Sequence, residues 1–211
     1  MVRYSSGGEC ALNHRRREVG RSSCVNRSNM RTDFFDLDGT LTDPKPGIVR
    51  SIQHALGRLN RPVPEEDDLL WCIGPPLRSS FVRLLDGEAE ADLAVAFYRD
   101  RFGDIGLYEN DVYPGITRVL GELKAAGWAL HVATSKPHVY AQRILEHFEL
   151  TAHFDQVFGA ELSGERADKT DLLAHALRES GGSAGRSVMI GDRSHDMVGA
   201  ANNQLTGIGV L

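Results

Sequence analysis

The sequence predicts an α/β fold, a parallel five-stranded sheet interrupted once by an all-helical insertion. Three observations predict it. Short apolar runs alternate with amphipathic segments of helical length through most of the 211 residues. Strands interleaved with helices of this size make βαβ crossovers, and those enforce parallel pairing. Between residues 44 and 112 the alternation stops, and no convincing strand occurs there.

The first strand is expected over residues 34–37 (FFDL), with Asp33 at its exposed start. The insertion follows as helical patterns at 48–59, 65–72, 76–85 and 89–102, separated by loops at Gly74-Pro75-Pro76 and 103–108. Tyr113-Pro114-Gly115 marks the return to the sheet. An amphipathic helix at 116–126 then leads into the second strand at 128–134 (WALHVAT). A helix at 137–148 precedes the third strand at 156–159 (QVFG), and one at 169–179 precedes the fourth at 187–190 (SVMI). A helix at 195–203 and a fifth strand at 206–211 (TGIGVL) complete the order. Gln204 stands where glycine commonly ends a helix, which weakens that stop signal. The chain thus divides into an extension (1–29), a sheet unit (30–43 and 113–211) and a helical unit (44–112).

Charge is unevenly spread, with the extension basic and the rest of the chain acidic. Residues 1–31 hold seven arginines against Glu9 and Glu18, and the first 29 residues add five serines without apolar periodicity. We read residues 1–29 as a disordered, non-native leader with Met30 as the natural start. The glutamates and the missing amphipathic stripe oppose a targeting peptide, and a basic arm for an anionic partner is the remaining reading.

Composition excludes several classes. A net charge of −5 leaves no footprint for nucleic acid. No run of about 18 apolar residues is present to span a membrane. Cys10, Cys24 and Cys72 are too few and scattered for a disulfide framework, so a reducing cytoplasm is expected.

Four short stretches carry chemistry. Asp36 and Asp38 follow a buried-looking strand and, two residues apart, share one face, while Gly39 permits close backbone approach. The fourth strand ends similarly in Gly191-Asp192, with Asp196 four residues later. In one parallel sheet these carboxylates would meet at the carboxyl edge and repel one another unless a cation joined them. All-oxygen ligands in small number suit Mg²⁺. Thr134-Ser135-Lys136-Pro137 closes the second strand and opens a helix, making an anion site or a simple cap. Lys169 opens another helix, where the dipole disfavours a cation. The chain has only four lysines (45, 124, 136 and 169), so this placement hints at a point-charge role.

Taken in order, Asp36-Leu37-Asp38-Gly39-Thr40, Thr134, Lys169 and Gly191-Asp192 through Asp196 resemble the four motifs of the haloacid dehalogenase superfamily. The helical insertion is similar to that family's cap, and the core would be Rossmann-like. Ile73-Gly74-Pro75-Pro76-Leu77 and the other motifs resemble the phosphoglycolate phosphatase-like branch, some members of which resemble 5′-nucleotidases. The resemblance implies an Mg²⁺-dependent phosphatase acting on a small phosphate monoester. Asp36 would be the nucleophile that forms an aspartyl-phosphate. Asp38 would be general acid and base. Mg²⁺ would bind the Asp36 carboxylate, the Asp38 carbonyl and Asp192. Gly39, Thr134, Ser135 and Lys169 would hold the phosphoryl group, with Asp196 behind Lys169 or a metal-bound water. Arg78 and Lys45 are candidate substrate contacts in the cap, whereas the stretch from Tyr98 to Phe102 reads as a solvated helix face. His195 would border the metal, and His131 is expected to be a satisfied sheet residue.

The implied partner is a small phosphorylated metabolite, with neither nucleic acid nor membrane, bound by a monomer or homodimer. A phosphomutase of the same superfamily is the alternative enzyme. A non-catalytic phospho-signalling module would cluster its acids differently and lack the insertion. Members usually continue past the last strand with a loop and a helix. For a chain ending at Leu211 the resemblance therefore implies a bared edge and a lowered unfolding midpoint.

Overall fold

The computed structural model describes residues 31–210. The extension expected over residues 1–29, its Cys10 and Cys24, the start at Met30 and the final Leu211 lie outside them.

Strand β1 (Thr32–Phe35) is the centre of a five-stranded parallel sheet with β4 (Ala129–Pro137), β5 (Gln156–Ala160), β6 (Ser187–Gly191) and β7 (Thr206–Gly209). The spatial order is β5-β4-β1-β6-β7. The chain builds outward from β1 on one side, then returns to build outward on the other. The crevice between the carboxyl ends of β1 and β6 is therefore the topological switch point, where such sheets bind ligands. β1 is apolar on both faces because both are covered, as a parallel sheet requires. Phe35 packs with α4 (Ile116–Ala125) and α5 (His138–His147), through Leu120, Ile144 and Leu145. Phe34 packs on the other face with α6 (Lys169–Ser180) and α7 (Ser194–Asn202), through Leu172, Leu173 and Ala200. All four β7 residues are exposed.

Helices α1 (Lys45–Arg58), α2 (Leu77–Leu84) and α3 (Ala91–Arg101) fill the insertion, with a 3₁₀ stretch at Asp67–Cys72 and one π turn at Phe102–Gly106. Their apolar residues, including Ile52, Leu69, Phe81 and Ala94, join the cluster beneath Phe35. Helix α1 meets the π turn closely: a methyl group on Gly47 would lie 2.0 Å from the Gly106 carbonyl oxygen. The expectation of no strand here needs one correction. A two-residue β2 (Thr42–Asp43) pairs antiparallel with β3 (Asp111–Val112) at the foot of the insertion. Two residues are too short to register as an apolar run.

Three local expectations also change. Asp33 is not exposed but 1% accessible, because β1 begins two residues before the apolar run does. Burial, opposed by Arg31 at 3.8 Å, pushes its carboxyl up to about 6. His131 is buried but not satisfied: its ring stacks on Phe34 at 5.4 Å and neither nitrogen finds a partner. Burial depresses that imidazole to about 4. Gln204 nevertheless adopts the left-handed conformation that glycine would supply, with φ of 58°.

Candidate active site

The chain leaves β1 at Phe35, and the Asp36 amide still donates to the Ile190 carbonyl of β6 at 2.9 Å. Asp36 is thus fixed at the switch point. The loop then turns on itself, since the amides of Thr40, Leu41 and Thr42 all donate to the Leu37 carbonyl. Gly39 has φ of 83°, and a methyl group there would sit 2.4 Å from Asp192 Oδ2. Only glycine meets both conditions, so Gly39 makes room for the carboxylate from β6. Its own amide donates to the Thr42 carbonyl at 2.8 Å, so that N–H is used within the loop.

The second carboxylate pair arises the same way. β6 ends at Gly191, where a methyl group would meet Asp196 Oδ2 at 2.2 Å. Asp196, fully buried in the first turn of α7, accepts the Arg193 amide on Oδ2 at 3.1 Å. One carboxylate oxygen from each of Asp36, Asp192 and Asp196 lies within 4.8 Å of the others.

Lys169 enters from the opposite side. Asp168 caps α6 by accepting the amides of Thr170 at 2.8 Å and Asp171 at 3.3 Å. That cap places Lys169 in the first turn with its side chain directed inward. Its Nζ lies 2.9 Å from the Ala133 carbonyl, 3.2 Å from Asp36 Oδ1 and 2.8 Å from Asp196 Oδ1. Burial alone would push this ammonium down, but Asp36 and Asp196 outweigh it and hold it raised. Burial and the Asp36 charge raise the Asp196 carboxyl against the pull of Lys169. Lys169 thus donates to one carbonyl and faces two carboxylates.

Thr134 is 2% exposed just before the irregularity in β4, and its hydroxyl accepts the Lys136 amide at 3.2 Å. Ser135 beside it is half-buried. Sequence reasoning missed Lys136 itself, whose Nζ lies 2.7 Å from Asp38 Oδ1 and 2.6 Å from Oδ2. The signal was its spacing, for Lys136 and Thr134 are two apart on an extended strand. Burial raises the Asp38 carboxyl while Lys136 pulls it back. The Lys136 ammonium also sits 5.0 Å from the centre of the Phe102 ring, and Phe102 stacks on Tyr98 at 5.1 Å. The stretch from Tyr98 to Phe102 is therefore not a solvated face: its two aromatic rings lie buried beside the Asp38–Lys136 pair.

The structure brings Asp36, Thr134, Lys169, Asp192 and Asp196 to one rim, with Asp38 held beside them by Lys136. The cap candidates carry ion-pair partners of their own. Arg78 pairs with Asp92 at 2.8 Å and Glu88 at 3.6 Å, and Lys45 with Glu66 at 3.6 Å. Flanking charges satisfy both on the surface of the insertion, which sequence proximity to Gly74 could not reveal. His195 is exposed. No helix among the described residues is long and apolar enough to cross a membrane.

Three hard carboxylates within coordinating reach, opposed at their core by one ammonium, carry excess negative charge and offer only oxygen donors. That donor set fits a small divalent cation such as Mg²⁺. Beside it stand an alcohol, an ammonium and a further carboxylate, Asp38, the parts needed to hold a phosphoryl group and move a proton.

Residues 34–210 match the family model described as haloacid dehalogenase-like hydrolase. Over 178 residues the chain is 48% identical to a 5′-nucleotidase of Pseudomonas aeruginosa, covering 84% of this chain and 80% of that one. It is 45% identical over 168 residues to the tyrosine-protein kinase PtkA of Mycobacterium tuberculosis, covering 80% of this chain but only 57% of the kinase. A phosphoglycolate phosphatase of Caulobacter vibrioides is 32% identical over 196 residues, 88% of this chain and 81% of that one. Among solved structures, a predicted phosphatase from Clostridium acetobutylicum superposes with a TM-score of 0.80 at 40% identity, covering 85% and 84% of the two chains.

Proposed function

Because the chain belongs to the haloacid dehalogenase-like hydrolases and is a phosphatase, we propose that it hydrolyses a small phosphate monoester through an aspartyl-phosphate on Asp36. One observation carries the reading: Asp36, Lys169 and Asp192 come from the ends of three separate elements and meet at the switch point. Charge of both signs is costly to bury, and a site that holds a charged reactant explains its retention.

In this reading Asp36 attacks phosphorus in line with the leaving oxygen. Asp38 gives its proton to the leaving alkoxide, then takes one from the water that releases phosphate. For that step Asp38 must exchange its bond to Lys136 for one to substrate. Thr134, Ser135 and Lys169 orient the phosphoryl oxygens, and Asp196 keeps Lys169 in place. The Asp36 and Asp192 side chains and the Asp38 carbonyl are the candidate ligands for Mg²⁺, which when bound offsets charge on the phosphoryl oxygens. The residues from 44 to 112 act as a cap, with Tyr98 and Phe102 excluding water from Asp38.

Substrate class follows from the relatives by analogy alone. A 5′-nucleotide and phosphoglycolate are the two candidates, and the aromatic pair near Asp38 suits either a nucleoside or a small leaving group. The test is phosphate release from nucleoside monophosphates, phosphoglycolate, sugar phosphates and an aryl phosphate, with Mg²⁺ and with a chelator. Release that needs Mg²⁺ and vanishes in Asp36→Asn is expected. Release that persists in Asp36→Asn would overturn the aspartyl-phosphate. Phosphate retained on a sugar would point to a mutase instead.

A further inference from the structure

Arg193 touches both the carboxylate cluster and the insertion. Its Nε lies 3.1 Å from Asp192 Oδ2, on a carboxylate that is 19% exposed. The same guanidinium also packs against the loop before α2. A methyl group on Gly74 would stand 3.2 Å from Arg193 Cζ and 3.3 Å from Nε. Gly74 has φ of 104°, so the loop offers bare backbone to the guanidinium at a position where any side chain would be strained. Thr40 Oγ1 reaches the other Asp192 oxygen only at 3.5 Å, so Arg193 is its principal partner.

We propose that Arg193 is a positioning residue that couples cation binding at Asp192 to the Gly74 loop of the insertion. This rests on the Mg²⁺ reading above. A cation drawing on Asp192 Oδ2 competes with Nε for the same lone pairs and repels the guanidinium. The side chain is 41% exposed, so it has room to swing away. Its contact with Gly74 then changes as the ion binds. Binding of the ion is thereby reported to the segment that lies over the reacting groups.

Trp71 supplies the readout, three residues before Gly74 and 4.1 Å from the Arg83 guanidinium. With Trp128→Phe as background, Trp71 is the sole tryptophan. Titrating Mg²⁺ alone, with binding heat recorded in parallel, should give a saturable change in Trp71 emission. In Arg193→Gln the ion should bind at least about threefold more tightly, since a part-exposed competing ion pair is gone, and the emission change should shrink. Arg193→Lys keeps the charge but not Nε, so it should keep repulsion while losing most of the emission change. Equal affinity and equal emission change in both variants would overturn the coupling, as would weaker binding in Arg193→Gln. Absence of any Mg²⁺ binding heat in the unsubstituted protein would overturn the metal reading itself.

Discussion

The Lys136 ammonium holds both oxygens of the Asp38 carboxylate, at 2.7 and 2.6 Å, in a place where the lysine side chain is 6% exposed. A residue proposed to shuttle protons is thus anchored by a buried cation beside Phe102.

Removing either partner separates two effects. Asp38→Asn should lower turnover of an alkyl phosphate by about 10²- to 10⁴-fold, the span of general acid–base catalysis. Lys136→Met leaves a largely buried carboxylate without its counter-ion and should destabilise the protein by about 3 kcal/mol. The double variant should recover much of that loss, because no unpaired charge remains. Urea unfolding of all four proteins measures the coupling; additive single-variant effects would show that the pair is not energetically linked.

Gly39→Ala tests the crowding at Asp192. Positive φ alone costs about 1–2 kcal/mol for a residue with a Cβ, and that Cβ would also push Asp192 aside. Phosphate release should fall about 100-fold, as expected for a ligand displaced by an ångström. Gly57→Ala is the control, since a methyl group there meets nothing within 4 Å. It lies within α1 and should gain about 0.5–1 kcal/mol with unchanged activity. Activity near normal in Gly39→Ala would mean that Asp192 is not needed in this position.

Two buried groups give pH dependences of opposite sign. Asp33 is pushed up to about 6, so it is neutral in the fold while still ionised in the unfolded chain between its ordinary value and 6. Its favourable contribution is present at low pH and is lost as pH rises through about 6. His131 is depressed to about 4, so its contribution is present above the ordinary imidazole value and is lost as pH falls toward 4. Each shift amounts to about 3 kcal/mol. Asp33→Asn should therefore gain stability over the parent at pH 8 but not at pH 4. His131→Leu should gain more at pH 4.5 than at pH 8. Thermal melts at these pH values check both, and parallel profiles for parent and variants would contradict the assignment of either group.

The five strands of the sheet were legible because each buried strand is a short apolar run closed by a turn or a helix signal, as at Ser187–Gly191. The carboxylates were legible because Asp36 and Asp192 interrupt such runs where charge is costly. What escaped depends on long-range contact. Asp33 looks like a strand-edge residue until β4 and β6 are laid on either side of it. Lys136 looked like part of a cap because the strand was expected to end at Thr134, whereas β4 continues through an irregularity to Pro137. Arg78 looked available because its partners, Glu88 and Asp92, come from the next turn and helix.

Asp196 poses the sharpest question about roles, since it stands both among the three clustered carboxylates and against Lys169. Its Oδ2 accepts the Arg193 amide and its Oδ1 lies 2.8 Å from the Lys169 ammonium, so each oxygen already faces a positively polarised neighbour. Asp192 is more exposed and is held mainly by Arg193, with Thr40 Oγ1 at 3.5 Å. In the proposed reading a cation would take its direct bond from Asp192, leaving Asp196 to hold Lys169. Asp192→Asn should abolish Mg²⁺ binding heat in the millimolar range with little change in melting temperature. Asp196→Asn should weaken binding by only about tenfold, the typical effect of a supporting partner. It should also lower stability by about 2 kcal/mol, because the buried ammonium loses a charged acceptor. If Asp196→Asn instead abolishes binding while Asp192→Asn tolerates it, Asp196 is the direct ligand and the ion sits deeper, against α6.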